Sequence, residues 1–310
     1  MSDSIRGAVY GLAAAAIWGG MYVVSDVVLT TIPPFTLLTL RLIMGIAVLG
    51  WLLARRGDRL PPRADLLRLL GVGLIGFGVS VGAQFVGTDK STAVNGTLIT
   101  SASPAFILIF AALLLREKLS AQRIAAVALA TVGVIVIIDL ANAQFGSDTF
   151  FGDVALAVAA LTWGLYSVLV RQVSARYDTL VVSVCAFMGG LCLTAPAAAL
   201  ELTQRPIGEI TPGVLLGVLY LGVVSTAGAM WMWNRAFALV DASVASLFFF
   251  AQPLVGTLLS VLLLNQQMTP NLWIGSALIV GGVLLSLYRA RAGSFQRSAI
   301  SKNEKLTADS

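Results

Sequence analysis

Apolar residues run along this chain in stretches of about 20, separated by short polar turns, and the stretches recur almost to its end. A helix rises about 1.5 Å per residue, so such a stretch crosses the ~30 Å hydrocarbon core of a bilayer. The pattern predicts ten spans. They are Ile5–Leu29, Pro34–Ala54, Leu66–Gly87, Thr92–Leu115, Ala121–Ile138, Gly152–Val173, Leu180–Leu200, Gly213–Leu239, Ala242–Leu264 and Asn271–Tyr288. The turns carry Pro, Asp or Asn, as at Ile32-Pro33-Pro34 and Thr269-Pro270-Asn271. The start resembles a signal peptide, with Arg6 before an apolar run. That run continues through Trp18, Tyr22 and Val28, so a retained span is expected rather than a cleaved one. Residues 293–310 lack apolar periodicity and read as a disordered cytoplasmic tail.

Composition agrees with a membrane solvent. Of 310 residues, 58% are hydrophobic and only 11% charged, against about 25% charged in a soluble domain. The net charge of +5 is not a nucleic-acid signal, because the basic residues fall in short loops rather than on one face. Those loops set an orientation. Under the ten-span reading, 17 of the 20 Lys and Arg residues fall on one side. They include Arg55, Arg56, Arg63, Arg68, Arg116, Lys118, Arg123, Arg171 and Arg176. Lys90 and Arg205 are on the other side, and Arg41 is within a span. Both termini are therefore expected in the cytoplasm.

The spans divide into two sets of five, residues 1–140 and 146–290. Ala14-Ala15-Ala16-Ile17-Trp18-Gly19 aligns with Ala159-Ala160-Leu161-Thr162-Trp163-Gly164, Ser103-Pro104 with Gln252-Pro253, and Gly133 with Gly282. Five is odd, so the second copy enters the bilayer from the opposite side. The loop Arg116-Glu117-Lys118 aligns with the neutral Asn265-Gln266-Gln267, as an inverted copy facing outward requires. The expected architecture is an all-α membrane protein with ten transmembrane helices, arranged as two inverted five-helix repeats around a central cavity. Inverted repeats suit alternating access, with a site near the midplane.

These paired Trp-Gly spans, and the Pro-containing fourth and ninth spans, resemble the two EamA-type halves of the drug/metabolite transporter superfamily. The resemblance covers the chain to about residue 290, and is greatest to the bacterial aromatic amino acid exporter branch. It implies a multi-pass protein of the bacterial inner membrane that exports small metabolites. The second half departs from the pattern at Gln266, where the first has Glu117.

Polar and aromatic residues within spans are the candidates for cargo contact, because lipid-facing positions have no use for them. Trp18 and Trp163 sit at mid-depth, although aromatics favour the interfaces. Either they pack helices, or they wall a cavity that stacks on apolar cargo. Tyr22 and Tyr166 share their faces. Gln84, Ser103 and Gln252 offer polar groups for the other end of a cargo. Arg41 either pairs with Asp26 or clamps a carboxylate. Gly78 and Gly82 form a G-x-x-x-G seam, read as close packing or as a gate. Pro104 and Pro253 are expected to break helical hydrogen bonds in matched spans. Trp233, near a span end, reads as an interface anchor. Cys185 and Cys192 read as small packing residues.

No Asp or Glu is placed at mid-depth and the chain has no His. The small dimeric multidrug members of the superfamily use a mid-span Glu for proton exchange, which this chain lacks in its first span. Movement down a gradient is expected instead. Amino acids, aromatic and other neutral ones, rank first as cargo, with lipophilic organic cations second. Phosphorylated cargo would need several buried cations, and only Arg41 is available. An enzyme would gather acids, bases or ligands at one depth, and none are gathered. A channel would show rings of like side chains. No metal or cofactor is expected, the partners are cargo and lipid, and a monomer is expected to suffice.

Overall fold

The computed structural model describes residues 2–57, 61–91, 99–137, 149–255, 270–271 and 273–285; the side chains of 22, 23, 26, 88, 89 and 137 are outside the description. Among the described residues all regular structure is helical. Helix α1 is Asp3–Leu29 and α2 is Pro34–Arg56. Helix α3 runs as Arg63–Gly73, a π-helical stretch Leu74–Ser80, and Val81–Lys90. Then come α4 (Ser103–Leu115), α5 (Ala121–Ile137), α6 (Phe150–Val173) and α7 (Thr179–Gln204). Helix α8 runs as Pro212–Leu219, a second π-helical stretch Tyr220–Gly228, and Ala229–Leu239. Helix α9 is Ala242–Val255, with Ser246–Phe250 wound as a 3-10 helix, and α10 is Trp273–Leu285.

Local chemistry explains the ends. Ser2 accepts from the Ile5 N–H and Asp178 from the Leu180 N–H, each satisfying a free donor at a helix start. Pro34, Pro104 and Pro212 occupy first-turn positions, where the missing N–H costs nothing. Gly57 ends α2 at φ 72°, in the left-handed region that glycine enters freely. Pro104 starts the described helix α4, which follows two helical residues at 99–100 and a turn at 101–102. Pro253 does fall inside α9, directly after its 3-10 turn.

Five helices, α2, α3, α6, α7 and α8, are long and apolar enough to cross a membrane by length and composition. Helix α1, with 27 residues, has comparable length. Trp51, Leu67, Leu113, Phe151, Leu216 and Trp273 point outward and are more than half exposed. Such a surface would aggregate in water and is the expected coat of a protein solvated by lipid tails.

Helix α2 lies along α7, α1 along α8, and α6 along α3. Backbone approach decides the closest seams. A Cβ on Gly73 would stand 2.0 Å from the Ala186 carbonyl oxygen, and one on Gly189 would stand 2.0 Å from that of Leu70. That places the tight α3–α7 contact at Gly73 and Gly189. At Gly78 and Gly82 the nearest atoms are 3.1 and 3.3 Å away, and belong to the side chains of Leu74 and Phe35. Helices α5 and α10 meet reciprocally: Gly133 faces Gly275 and Ile279, while Gly282 faces Ala126 and Ala130.

The two π stretches begin at Leu74 and Tyr220, within one residue of the offset separating Trp18 from Trp163. A π turn leaves the ordinary i→i−4 ladder and frequently marks a functional site. The predicted tail and the Gln266 loop lie outside the described residues.

Candidate functional site

The two π stretches flank a cluster of aromatic rings drawn from six helices. Trp18 of α1 meets Trp163 of α6 edge-on at 6.0 Å between centroids, and Trp233 of α8 at 5.2 Å. Trp163 and Trp233 stack at 6.5 Å with planes 29° apart. Phe77, within the first π stretch, presents its edge to Trp163, Tyr166 and Phe187. Phe237 and Phe249 close on Trp233 from α8 and α9. Each such pair contributes about 0.5–1.5 kcal/mol beyond area burial. The rings therefore hold both halves of the chain at one point.

A polar chain runs beside the rings. The Tyr166 hydroxyl donates to Asn234 Oδ1 at 3.0 Å, Asn234 Nδ2 to Ser183 Oγ at 3.0 Å, and Ser183 Oγ to the Thr179 carbonyl at 2.8 Å. All three polar side chains are fully buried. Gly76 makes room for the Tyr166 ring, since a Cβ there would stand 2.3 Å from it.

Of the residues expected at the site, the structure brings Trp18, Trp163 and Tyr166 together. Trp233 is a correction: it is fully buried at the centre of the cluster, not an interface anchor. It follows the second π stretch, which shifts its face and depth relative to an uninterrupted α-helix. Trp231 instead meets Tyr10 at 5.6 Å. Phe77 and Ser183 are not among the sequence candidates, and Asn234 reads from the sequence only as clustering with Trp231 and Trp233 near a span end. An Asn in an apolar span was the signal available for Asn234.

Arg41 is buried where α2 meets the second π stretch. Its Nε donates to Thr226 Oγ1 at 3.0 Å, and Nη2 lies 3.2 Å from Met21 Sδ. Thr226 in turn donates to the Leu221 carbonyl, five residues back, which is the π spacing. The Asp26 and Tyr22 side chains lie outside the described residues. Ser103 is buried and donates to the Thr100 carbonyl at 2.8 Å, closing the turn before α4. Gln252 is buried on α9, and Gln84 is half-buried on α3. Cys185 is buried and Cys192 exposed, and both are free thiols.

Polar ties cross between the halves at both ends of the bundle. At one end the Glu117 carboxylate accepts from the Ala242 and Ser243 N–H groups at 2.8 and 3.2 Å, and from Ser243 Oγ at 2.7 Å. Arg123 reaches Asp241 and Ser243, and within the second half Arg171 donates to the carbonyls of Phe237 and Ala238. At the other end Glu201 accepts from the Phe35 and Thr36 N–H groups, and Arg205 donates to the Leu29 carbonyl. Both glutamates thus cap helix starts in the opposite half.

A multi-pass helical membrane protein, with aromatic rings from both halves meeting at its centre and every described carboxylate near a helix end or in a loop, belongs to the class of membrane transporters. Comparison with known proteins gives the family: the chain belongs to the EamA-like transporter family, whose model matches it twice, at residues 5–139 and 150–288. It is similar to the uncharacterized inner membrane transporter YicL of Salmonella typhimurium (28% identical, covering 94% of this chain and 100% of the relative). It is also similar to an uncharacterized transporter of Archaeoglobus fulgidus (25%, 87% and 93%). A third relative is a probable amino-acid metabolite efflux pump of Escherichia coli (24%, 93% and 97%). A solved crystal structure shares the fold with a TM-score of 0.78 at 24% identity, covering 90% of this chain and 97% of its own.

Proposed function

We propose that this protein exports small neutral metabolites, amino acids and above all aromatic ones, across the inner membrane of a bacterium. It works by alternating access, as a monomer, between two inverted five-helix repeats with cytoplasmic termini. The observation that carries this reading is the Trp18–Trp163–Trp233 cluster beside the Tyr166–Asn234–Ser183 chain. Rings from both halves meet there with buried polar groups, which suits a cargo having an apolar side chain and a polar head. Matched π stretches, and the reciprocal Gly133 and Gly282 contacts, support the inverted repeat. Polar ties at both ends suit a carrier caught closed, each end being able to release in turn. The described acids stand near helix ends or in loops, which supports movement of cargo down its own gradient.

The test is counterflow in proteoliposomes preloaded with unlabelled phenylalanine. Entry of labelled phenylalanine, competed by neutral amino acids but not by sugar phosphates, is the expected result. Competition by quaternary amines alone would favour the second reading, lipophilic cations held by the three indole faces. Uphill accumulation driven by a pH gradient would contradict the gradient-driven mode.

A further inference from the structure

Trp18, Trp163 and Trp233 carry three indole N–H groups in mutual ring contact, and the protein treats them differently. Trp18 donates to the Ser225 carbonyl at 3.1 Å. The N–H groups of Trp163 and Trp233 are buried and have no protein acceptor among the described residues. The two residues are only 8% and 0% exposed. A buried donor left unpaired is costly, and lipid tails offer no acceptor. The Ser225 hydroxyl, one residue from the Arg41 partner Thr226, is likewise unpartnered.

The surroundings narrow the missing partner. Phe77, Phe237 and Phe249 supply only ring edges and faces. The Tyr166 hydroxyl proton and one N–H of the Asn234 amide are used within their own chain, and the second Asn234 N–H is a further neutral donor. The site therefore presents neutral donors in a dry environment. An anionic oxygen is the acceptor such donors hold most strongly, whereas an ammonium group adds a donor to donors.

We propose that the indole N–H groups of Trp163 and Trp233 receive the carboxylate of the cargo, so that cargo is recognised by its carboxylate end. This rests on the reading above that the aromatic cluster is the cargo site. It gives the second half the polar recognition and leaves Trp18 as a ring wall anchored by its own hydrogen bond.

The experiment uses the full chain in proteoliposomes, with L-phenylalanine, 3-phenylpropionate (no amine) and 2-phenylethylamine (no carboxylate) as probes. In the wild type, phenylethylamine should compete at least about tenfold more weakly than phenylpropionate. Trp163→Phe and Trp233→Phe should each raise KM for the two carboxylates about tenfold. Should either phenylalanine variant misfold, benzothienylalanine at the same position keeps the bicyclic shape and lacks the N–H; the same tenfold loss is expected. Equal losses for all three probes would mean that the rings only pack, and would overturn the proposal. Unchanged KM would mean that water satisfies the donors, and would also overturn it. Wild-type exchange of phenylpropionate without any amino acid would sustain the carboxylate site and remove the amino acid reading. Amino acid exchange insensitive to both N–H deletions would do the reverse.

Discussion

Around Trp18 and around Trp163, matching positions in the two family segments, the same side chain has two different neighbourhoods. Trp18 is bolted to the π stretch of α8 through its N–H and Ser225, and that stretch is held in turn by Arg41 through Thr226. Trp163 lies against the π stretch of α3 through Phe77, with no hydrogen bond from its ring nitrogen among the described residues. There it is Ser80 that ties helix to helix, donating to the Ala159 carbonyl at 2.8 Å. Duplication supplied two equivalent rings, and packing made one of them scaffold while leaving the other's donor unspent. Equivalent residues in a doubled membrane protein therefore need not share a role.

The comparison can be broken most forcefully by truncation. Trp18→Ala and Trp163→Ala should each destabilise by about 3–5 kcal/mol through the cavity they open. Trp18→Ala should lose about 1 kcal/mol more, because a hydrogen bond goes with the ring. Thermal melts in detergent would measure the gap, and equal losses would erase the distinction. Thr226→Val removes one acceptor of a buried guanidinium and should cost about 2 kcal/mol. Its damage should fall on the α8 π stretch, read as faster amide exchange near Tyr220–Gly228 with Leu74–Ser80 unaffected. Replacing only the indole N–H, with benzothienylalanine, should cost about 1 kcal/mol at position 18 and nothing measurable at position 163. A matching loss at 163 would reveal an acceptor in the protein.

The smallest effect concerns pH at the end of the α3–α6 pair that carries Trp163. The Tyr177 hydroxyl donates to Asp65, and this bond, burial and the carboxylate charge raise the phenol above its ordinary value of 10.0, partly offset by Arg176. A raised pKa means that the protonated form is the one stabilised. The tie is thus fully present below about pH 10 and is lost as pH rises through the raised value. Exchange of the amides at 174–178 should quicken above that range in the wild type, while Tyr177→Phe should show the faster exchange at every pH.

Much of the molecule was legible from the chain. Long apolar stretches with charge confined to turns dictate a bilayer solvent, because no water-soluble fold could bury so much hydrocarbon. The repeated Ala-Trp-Gly stretches announced two related halves, and the family match falls on both. Trp18, Trp163 and Tyr166 were named as neighbours of cargo and are found in one cluster. Other placements were not legible. Trp233 was assigned to the interface because nothing in its span advertises a π stretch, and that stretch decides where Trp233 faces. The closest helix seam uses Gly73 and Gly189 on different helices, which no single-helix glycine motif reveals. The sequence by itself determined the solvent, the helices and the doubling, since these follow from local hydropathy and recurrence. Only the tertiary structure decided which indole is bonded and which is open. That choice depends on a carbonyl 207 residues away, delivered by the winding of another helix.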